Sequence, residues 1–323
     1  MNNDLIISVG TIIHNDTEVL ENFIGETSTI LANSNYNYEI VLVDNCSTDD
    51  SQAEIKKLQR KFKNIRLIVL SKQYDEEQAK TAILDNCIGD YIVLMDINSD
   101  PPKLILNLVE KALNGYDLVI GERNNRRDDS FLQRNWAGIF YKISEKLTGY
   151  RINPNYSDYI CMSRKMVNSL VQIRDRSRYL KYLMLEVGYK HTTVKFDKIQ
   201  RANNRKKRSF LDTFGFAFEI LITNSDKLLR WSALLGFSIS LLNLFYMFYI
   251  FFIALFKEDV AAGWVSSSLV NSTMFFFLFL LLSIVSVYIS SVLKETKKGS
   301  LYYISEETTS SVIYKEIDKK NIV

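Results

Sequence analysis

Runs of strand-forming residues with little alternation recur through the first hundred positions: LIISVGTII (5–13), YEIVLVDN (38–45), IRLIVLS (65–71) and DYIVLMD (90–96). Between them DTEVLENFIGETSTILANS (16–34), TDDSQAEIKKLQRKF (48–62) and EEQAKTAILDNC (76–87) carry apolar residues at helical spacing. Strands without a polar face are buried on both sides. The pattern therefore predicts an α/β fold, a mostly parallel sheet with helices on both faces. A further helix, KLILNLVEKAL (103–113), and a strand, YDLVIGER (116–123), complete this half. Asp100 is expected as the N-cap of that helix, with Pro101 as its first residue.

The pattern changes after residue 208. SFLDTFGFAFEILITNSDKLLR (209–230) is amphipathic and predicts a helix lying in a membrane interface. Residues 231–256 carry no charge and exceed the roughly 20 apolar residues that span a bilayer. A short loop (257–267) leads to a second apolar stretch, 268–293. Core helices seldom run this long without a charge, so a two-helix transmembrane hairpin is expected. Lys227 and Arg230 precede the first span and Lys294, Lys297 and Lys298 follow the second, which puts both termini in the cytoplasm of a multi-pass inner-membrane protein. The polar tail (294–323) is expected to be partly disordered.

Composition adds little except at one place. Net charge is only +3, but residues 201–208 read RANNRKKR, which suits an anionic ligand or an acidic lipid surface as well as nucleic acid. Three scattered cysteines fit reduced thiols rather than a disulfide framework. No G-x-G-x-x-G or P-loop is present, which disfavours dinucleotide and ATP cradles. The two histidines, His14 and His191, are read as structural or solvent-facing.

Chemistry concentrates at the strand ends. An open α/β sheet binds ligands past the carboxyl ends of its strands, here Thr11–Asn15, Asp44–Ser47, Ser71–Tyr74 and Asp96–Asp100. VLVDNCSTDDS (41–51) and VLMDINSD (93–100) would bring Asp44, Asp96 and Asn98 close together. Such hard oxygen donors suit Mg2+ or Mn2+ completed by substrate phosphates. Asp49 and Asp100 are read as helix caps as well.

Taken in order, these stretches resemble the polyprenyl-phosphate glycosyltransferases, relatives of dolichol-phosphate mannose synthase with a GT-A-type nucleotide-sugar domain. The resemblance is carried by VGTIIHNDTEVL (9–20), VLVDNCSTDDS, CIGDYIVLMDINSDPP (87–102), VIGER (119–123), NPNYSDYICMSRKMVNSL (153–170), RYLKYLMLEVGYK (178–190) and RANNRKKRSF (201–210). The chain departs from the family at Ile12 (for Pro), His14 (for Tyr), Asn45 and Cys46 (for Asp and Gly), Asn98 (for Asp) and Ile160 (for Arg). The resemblance implies a GT-A-type domain over 1–208 that moves a sugar from a nucleotide-diphosphate sugar to a polyprenyl phosphate with inversion. It implies a lipid bilayer as partner and no nucleic acid, and is compatible with a homo-oligomer. Carried over residue by residue, Asp158 and Asp96 are catalytic, and Thr11, Ile12, Ile13, Asp16, Asp44, Ser47, Gln73 and Asp96 hold the donor. Asp96, Asn98 and Asp100 hold Mg2+ or Mn2+, while Arg123, Arg134, Lys181, Arg201, Arg205 and Lys207 hold phosphates or the acceptor. The alternatives are a non-catalytic partner subunit of this family or a transferase that elongates a lipid-linked glycan.

Overall fold

The computed structural model describes residues 5–124, 153, 155–173, 179–199, 201 and 300–310, with scattered helical positions between 267 and 292. Among them, eight strands form one sheet. β1 (Ile6–Ile13) lies between β2 (Asn37–Asp44) and β4 (Tyr91–Leu94) and is parallel to both. β3 (Ile65–Leu70) extends the parallel run beyond β2. On the other side, β6 (Tyr156–Ser163) runs antiparallel between β4 and β5 (Leu118–Arg123), and β7 (His191–Phe196) pairs parallel with β5. β8 (Ile304–Thr309) closes the opposite edge, antiparallel to β3.

The sheet is buried on both faces, as its apolar strands require. Ile40 and Leu42 of β2 face one layer with α1 (Thr17–Ala32), α2 (Ser51–Lys61) and α4 (Ile105–Leu113). Val41 and Val43 face the other with α3 (Glu76–Asn86), α5 (Arg164–Gln172) and α6 (Leu180–Glu186). Each fully buried Leu, Ile or Phe contributes about 1.5–3 kcal/mol. Helix starts use local oxygens: Asp75 accepts from the Gln78 N–H at 2.8 Å, and Ser163 from the Met166 N–H at 3.3 Å.

One expectation is corrected. Asp100 is not a helix cap; its carboxylate turns back to accept from the Asp96 N–H at 2.8 Å. The chain then enters α4 through a 3-10 turn at Pro102–Leu104. Part of the polar tail forms β8. Its sequence, ISEETT, has almost no apolar signal, and charge anchors it instead. Arg66 donates to the buried Glu39 at 3.1 Å and to Glu307 of β8 at 2.8 Å, while Lys56 donates to Glu306 at 2.7 Å.

The chain divides into two compact units. The first, Met1–Tyr141 with Tyr150–Arg208 and Gly299–Val323, contains the whole sheet. Among the described residues no helix is long and apolar enough to cross a membrane. The expected interfacial helix and the first expected span lie outside them, and so does most of the second.

Candidate active site

The strand ends form one wall of a cleft of about 1310 Å³, larger than most single-ligand pockets. The wall is built from polar loops that hold one another. Asn15 and Cys46 both adopt left-handed backbone, with φ of 56° and 60°. Asn tolerates this conformation, whereas for Cys46 it costs about 1 kcal/mol or more. The Asn45 side chain donates to the Tyr74 carbonyl and accepts from the Tyr74 N–H, each at 2.8 Å, so it pins the loop after β3 to the end of β2. His14 Nδ1 lies 3.0 Å from the Asn45 carbonyl, and its Nε2 lies 3.5 Å from Gln73 Nε2. His14 is therefore part of the cleft wall beside Gln73. Sequence reasoning placed His14, Asn45 and Tyr74 within the strand-end stretches but gave none of them a ligand role, reading His14 as structural or solvent-facing.

Several expected donor contacts are otherwise engaged. Asp44 is fully buried and accepts from Gln52 Nε2 at 2.6 Å and from the Ser47 backbone and hydroxyl. It braces the loop rather than lining the cleft, and Ser47 is held with it. Thr11 and Ile13 are buried, and the Ile13 carbonyl accepts from the Asn45 N–H at 2.8 Å. Ile12, Asp16, Gln73 and Asp96 do line the cleft.

The loop after β4 is tied across to β1. Asn98 Nδ2 donates to Asp16 Oδ1 at 2.8 Å, and the other Asp16 oxygen accepts from the His14 N–H at 2.9 Å. Asp96 accepts from the Asn98 N–H and the Ser99 hydroxyl, both at 3.0 Å. Burial pushes the Asp100 carboxyl up to about 7, the Asp96 charge adding to it against the hydrogen bond from the Asp96 N–H. Arg201, expected to hold phosphate, lines the cleft and also braces this loop. It donates to the Ile97 and Asp100 carbonyls at 2.8 and 3.2 Å and pairs with Glu26 at 2.8 Å.

Among the described residues no three carboxylate, histidine or cysteine side chains converge as a metal cage. The donors suit a divalent ion completed by its substrate. Asn98 Oδ1 is buried without a hydrogen-bond partner, and the neighbouring Asp96 carboxylate lines the cleft. One charged and one neutral hard oxygen fit Mg2+ or Mn2+ that draws its remaining ligands from phosphate and water. Asp100 does not join them, since its carboxyl is 2% exposed and turned to the Asp96 backbone.

The adjoining wall, where the start of β6 lies beside the end of β4, carries Asp158, the expected catalytic carboxylate. Lys80 of α3 donates to its Oδ1 at 3.0 Å, and Lys181 of α6 lies 3.4 Å from its Oδ2. Burial works against the Asp158 charge, but Lys181, Lys80 and Arg123 outweigh it and hold the group well below the usual carboxylate range. Arg123 Nε is buried with no hydrogen-bond partner. Ile160, two residues on, points into the core and brings no cation. α3 lies close to β1 because residue 10 is glycine: a Cβ there would meet Ile83 Cγ2 at 2.1 Å. Arg134, Arg205 and Lys207 lie outside the described residues.

Residues 8–171 match the model of glycosyl transferase family 2. The chain belongs to glycosyltransferase family 2 and is a glycosyltransferase. It is 25% identical to a prophage bactoprenol glucosyl transferase homolog of Escherichia coli K12, over 92% of this chain and 98% of that one. It is 27% identical to an undecaprenyl-phosphate 4-deoxy-4-formamido-L-arabinose transferase of Pseudomonas fluorescens SBW25, covering 75% and 71%. A solved structure of glucosyl-3-phosphoglycerate synthase from Mycobacterium tuberculosis, with Mn2+, uridine diphosphate and glucosyl-3-phosphoglycerate, aligns with a TM-score of 0.47 at 18% identity. That alignment covers 68% of this chain and 78% of the other.

Proposed function

We propose that the protein transfers a sugar from a nucleotide-diphosphate sugar to a polyprenyl phosphate at the cytoplasmic face of a membrane. The observation that carries the reading is the contrast within one cleft: an oxygen-rich loop at Asp96–Asn98 adjoins the lysines gathered around Asp158. The first suits a diphosphate with its metal, and the second suits an anionic acceptor. The names of the relatives, which carry bactoprenol and undecaprenyl phosphate, support the acceptor class.

A phosphate monoester has a second pKa of about 6, so near pH 7 the acceptor oxygen is already ionised and needs no general base. That oxygen attacks the anomeric carbon, the carbon–oxygen bond to the diphosphate breaks, and the nucleoside diphosphate leaves from the opposite side. The configuration inverts. A divalent ion held by Asp96 and Asn98 would offset the charge of the departing diphosphate. The protein's own task is to align two anions and exclude water. His14, Gln73 and Tyr74 offer polar edges to the nucleoside, Lys181 and Arg123 draw in the acceptor phosphate, and Asp158 spaces the cations.

The bilayer is part of the proposal. Leu278, Leu282, Val285, Ile289 and Val292 are exposed at helical positions that share one stripe, as a lipid-facing helix would present them. With residues 231–256 as the first span, both termini are cytoplasmic. Reporters fused at Met1 and after Val323 should report cytoplasm, and one inserted near Asp259 the outside. A cytoplasmic Asp259 sinks the two-span arrangement. The deciding experiment incubates the full chain with undecaprenyl phosphate, Mn2+ and a panel of nucleotide sugars. Radiolabel moving from one donor into the lipid fraction supports the reading, and no transfer from any donor overturns it.

A further inference from the structure

Lys80 is the unexpected residue of the cleft. Lysines are almost never buried unless paired, yet Lys80 is only 7% exposed in the middle of α3. Two of its partners are local: Glu76 and Glu77, one turn earlier, each lie 3.1 Å from its ammonium. Those two alone would leave it on the surface, as an ordinary i, i+4 pair. Its third partner is Asp158, 78 positions away on β6, at 3.0 Å.

Glu77 makes a second connection. While one of its oxygens faces Lys80, the other accepts from the Leu180 N–H at 2.7 Å, at the first residue of α6. The next residue of α6 is Lys181, whose ammonium lies 3.4 Å from the second Asp158 oxygen and 3.3 Å from the Tyr156 carbonyl. One turn of α3 thus fixes both Asp158 and the helix that brings Lys181 to it. We propose that Lys80 is a positioning residue: with Glu77 it latches α6 onto Asp158 and sets the separation of the cations that receive the acceptor phosphate. The inference rests on the transfer reading above for what the cluster receives, but not for the latch itself. Burial would strip the proton from Lys80, and Asp158, Glu77 and Glu76 outweigh it, so the ammonium stays charged at working pH.

The experiment compares full-length Lys80→Met and Lys80→Arg with the parent. Misplacement of a reacting group by about 1 Å costs on the order of 10²-fold. Lys80→Met should lower turnover to polyprenyl phosphate by about that factor and leave the donor KM within about twofold. Lys80→Arg should recover most of the loss. Hydrogen exchange at Leu180–Glu186 should rise in Lys80→Met, a readout that needs no acceptor. If Lys80→Met does not fold, Glu77→Gln/Lys80→Met, which removes the uncompensated charge, takes its place with the same expectations. A folded variant with unchanged exchange at α6 and unchanged turnover overturns the latch. A parent that transfers nothing to lipid, with exchange still rising in the variant, overturns the transfer reading alone.

Discussion

The two walls of the cleft treat a buried carboxylate in opposite ways. On the loop after β4, Asp100 is surrounded by backbone and carboxylate, and burial pushes it up to about 7. On the adjoining wall, where β6 starts beside the end of β4, Asp158 meets Lys80 and Lys181 at salt-bridge distance, and its charge is secured against the same burial. Desolvation acts on both; the neighbouring charges, carboxylates beside Asp100 and lysines beside Asp158, decide the outcome. The first wall turns the Asp96 carboxylate to the cleft, while its Arg201 is engaged by Glu26 and by loop carbonyls. On the second, Lys80 and Lys181 offset Asp158.

If that contrast is real, removing the open carboxylate of the first wall should have the largest effect. Asp96→Ala should lower kcat/KM for transfer by about 10²–10³-fold or more while the sheet stays folded, since residue 96 lies beyond β4. Unchanged activity in a folded variant would break the assignment of that wall. Asn98→Asp should have an intermediate effect. It replaces the 2.8 Å hydrogen bond to Asp16 with two facing carboxylates, a change worth about 1–3 kcal/mol. Donor nucleotide, measured by titration calorimetry in chelator, should then bind about tenfold more weakly. Added Mn2+ should reverse the loss by bridging the pair. A variant indifferent to metal would mean that position 98 does not face the ion.

The smallest effect is on stability. Asp100 is raised, so the folded protein keeps a proton that the unfolded chain has released. Its contribution is full below about pH 4 and is lost as pH rises through about 7. Asp158 is lowered, so its contribution is present above pH 4 and is lost only in stronger acid. Asp100→Asn keeps an acceptor for the Asp96 N–H and carries no charge. In chelator its unfolding free energy should be flatter between pH 4 and 7, where the parent's falls by up to about 1.4 kcal/mol per pH unit, and should exceed the parent's at pH 8. Parallel curves for variant and parent would remove Asp100 from the comparison.

Much of the first half was legible because buried parallel strands leave continuous apolar runs. The expected strand at 65–71 is observed at Ile65–Leu70, and the expected helix at 76–87 at Glu76–Asn86. The gathering of strand ends was legible in outline, but β1 lies between β2 and β4, so Asn98 meets Asp16 rather than neighbouring Asp44 as expected. Roles within the gathering were not. Asp44 and Asp96 look alike as strand-end aspartates, yet one is fully enclosed by Ser47 and Gln52 and the other opens to the cleft. Lys80 was hidden by its own neighbours, because Glu76 and Glu77 make it read as a solvated helix pair. A usable signal was its place in a run of buried residues from Ala79 to Leu84. β8 was missed because its hold on the sheet is ionic and its partner strand is remote in sequence.

That remote pairing orders events in time. Arg66 and Glu307 are 241 positions apart, so the outer edge of β3 stays bare while everything between is synthesised. At roughly 5–20 residues per second this lasts on the order of tens of seconds. A bare edge is a template for wrong partners, and here it is blunted by a charge, Arg66, waiting for its glutamate. Ser71 and Tyr74 receive their contacts to Tyr303 only at the end of that interval. This wall of the cleft is therefore finished only once Tyr303 has emerged, and a chain cut short before it carries most of the sheet without a complete cleft.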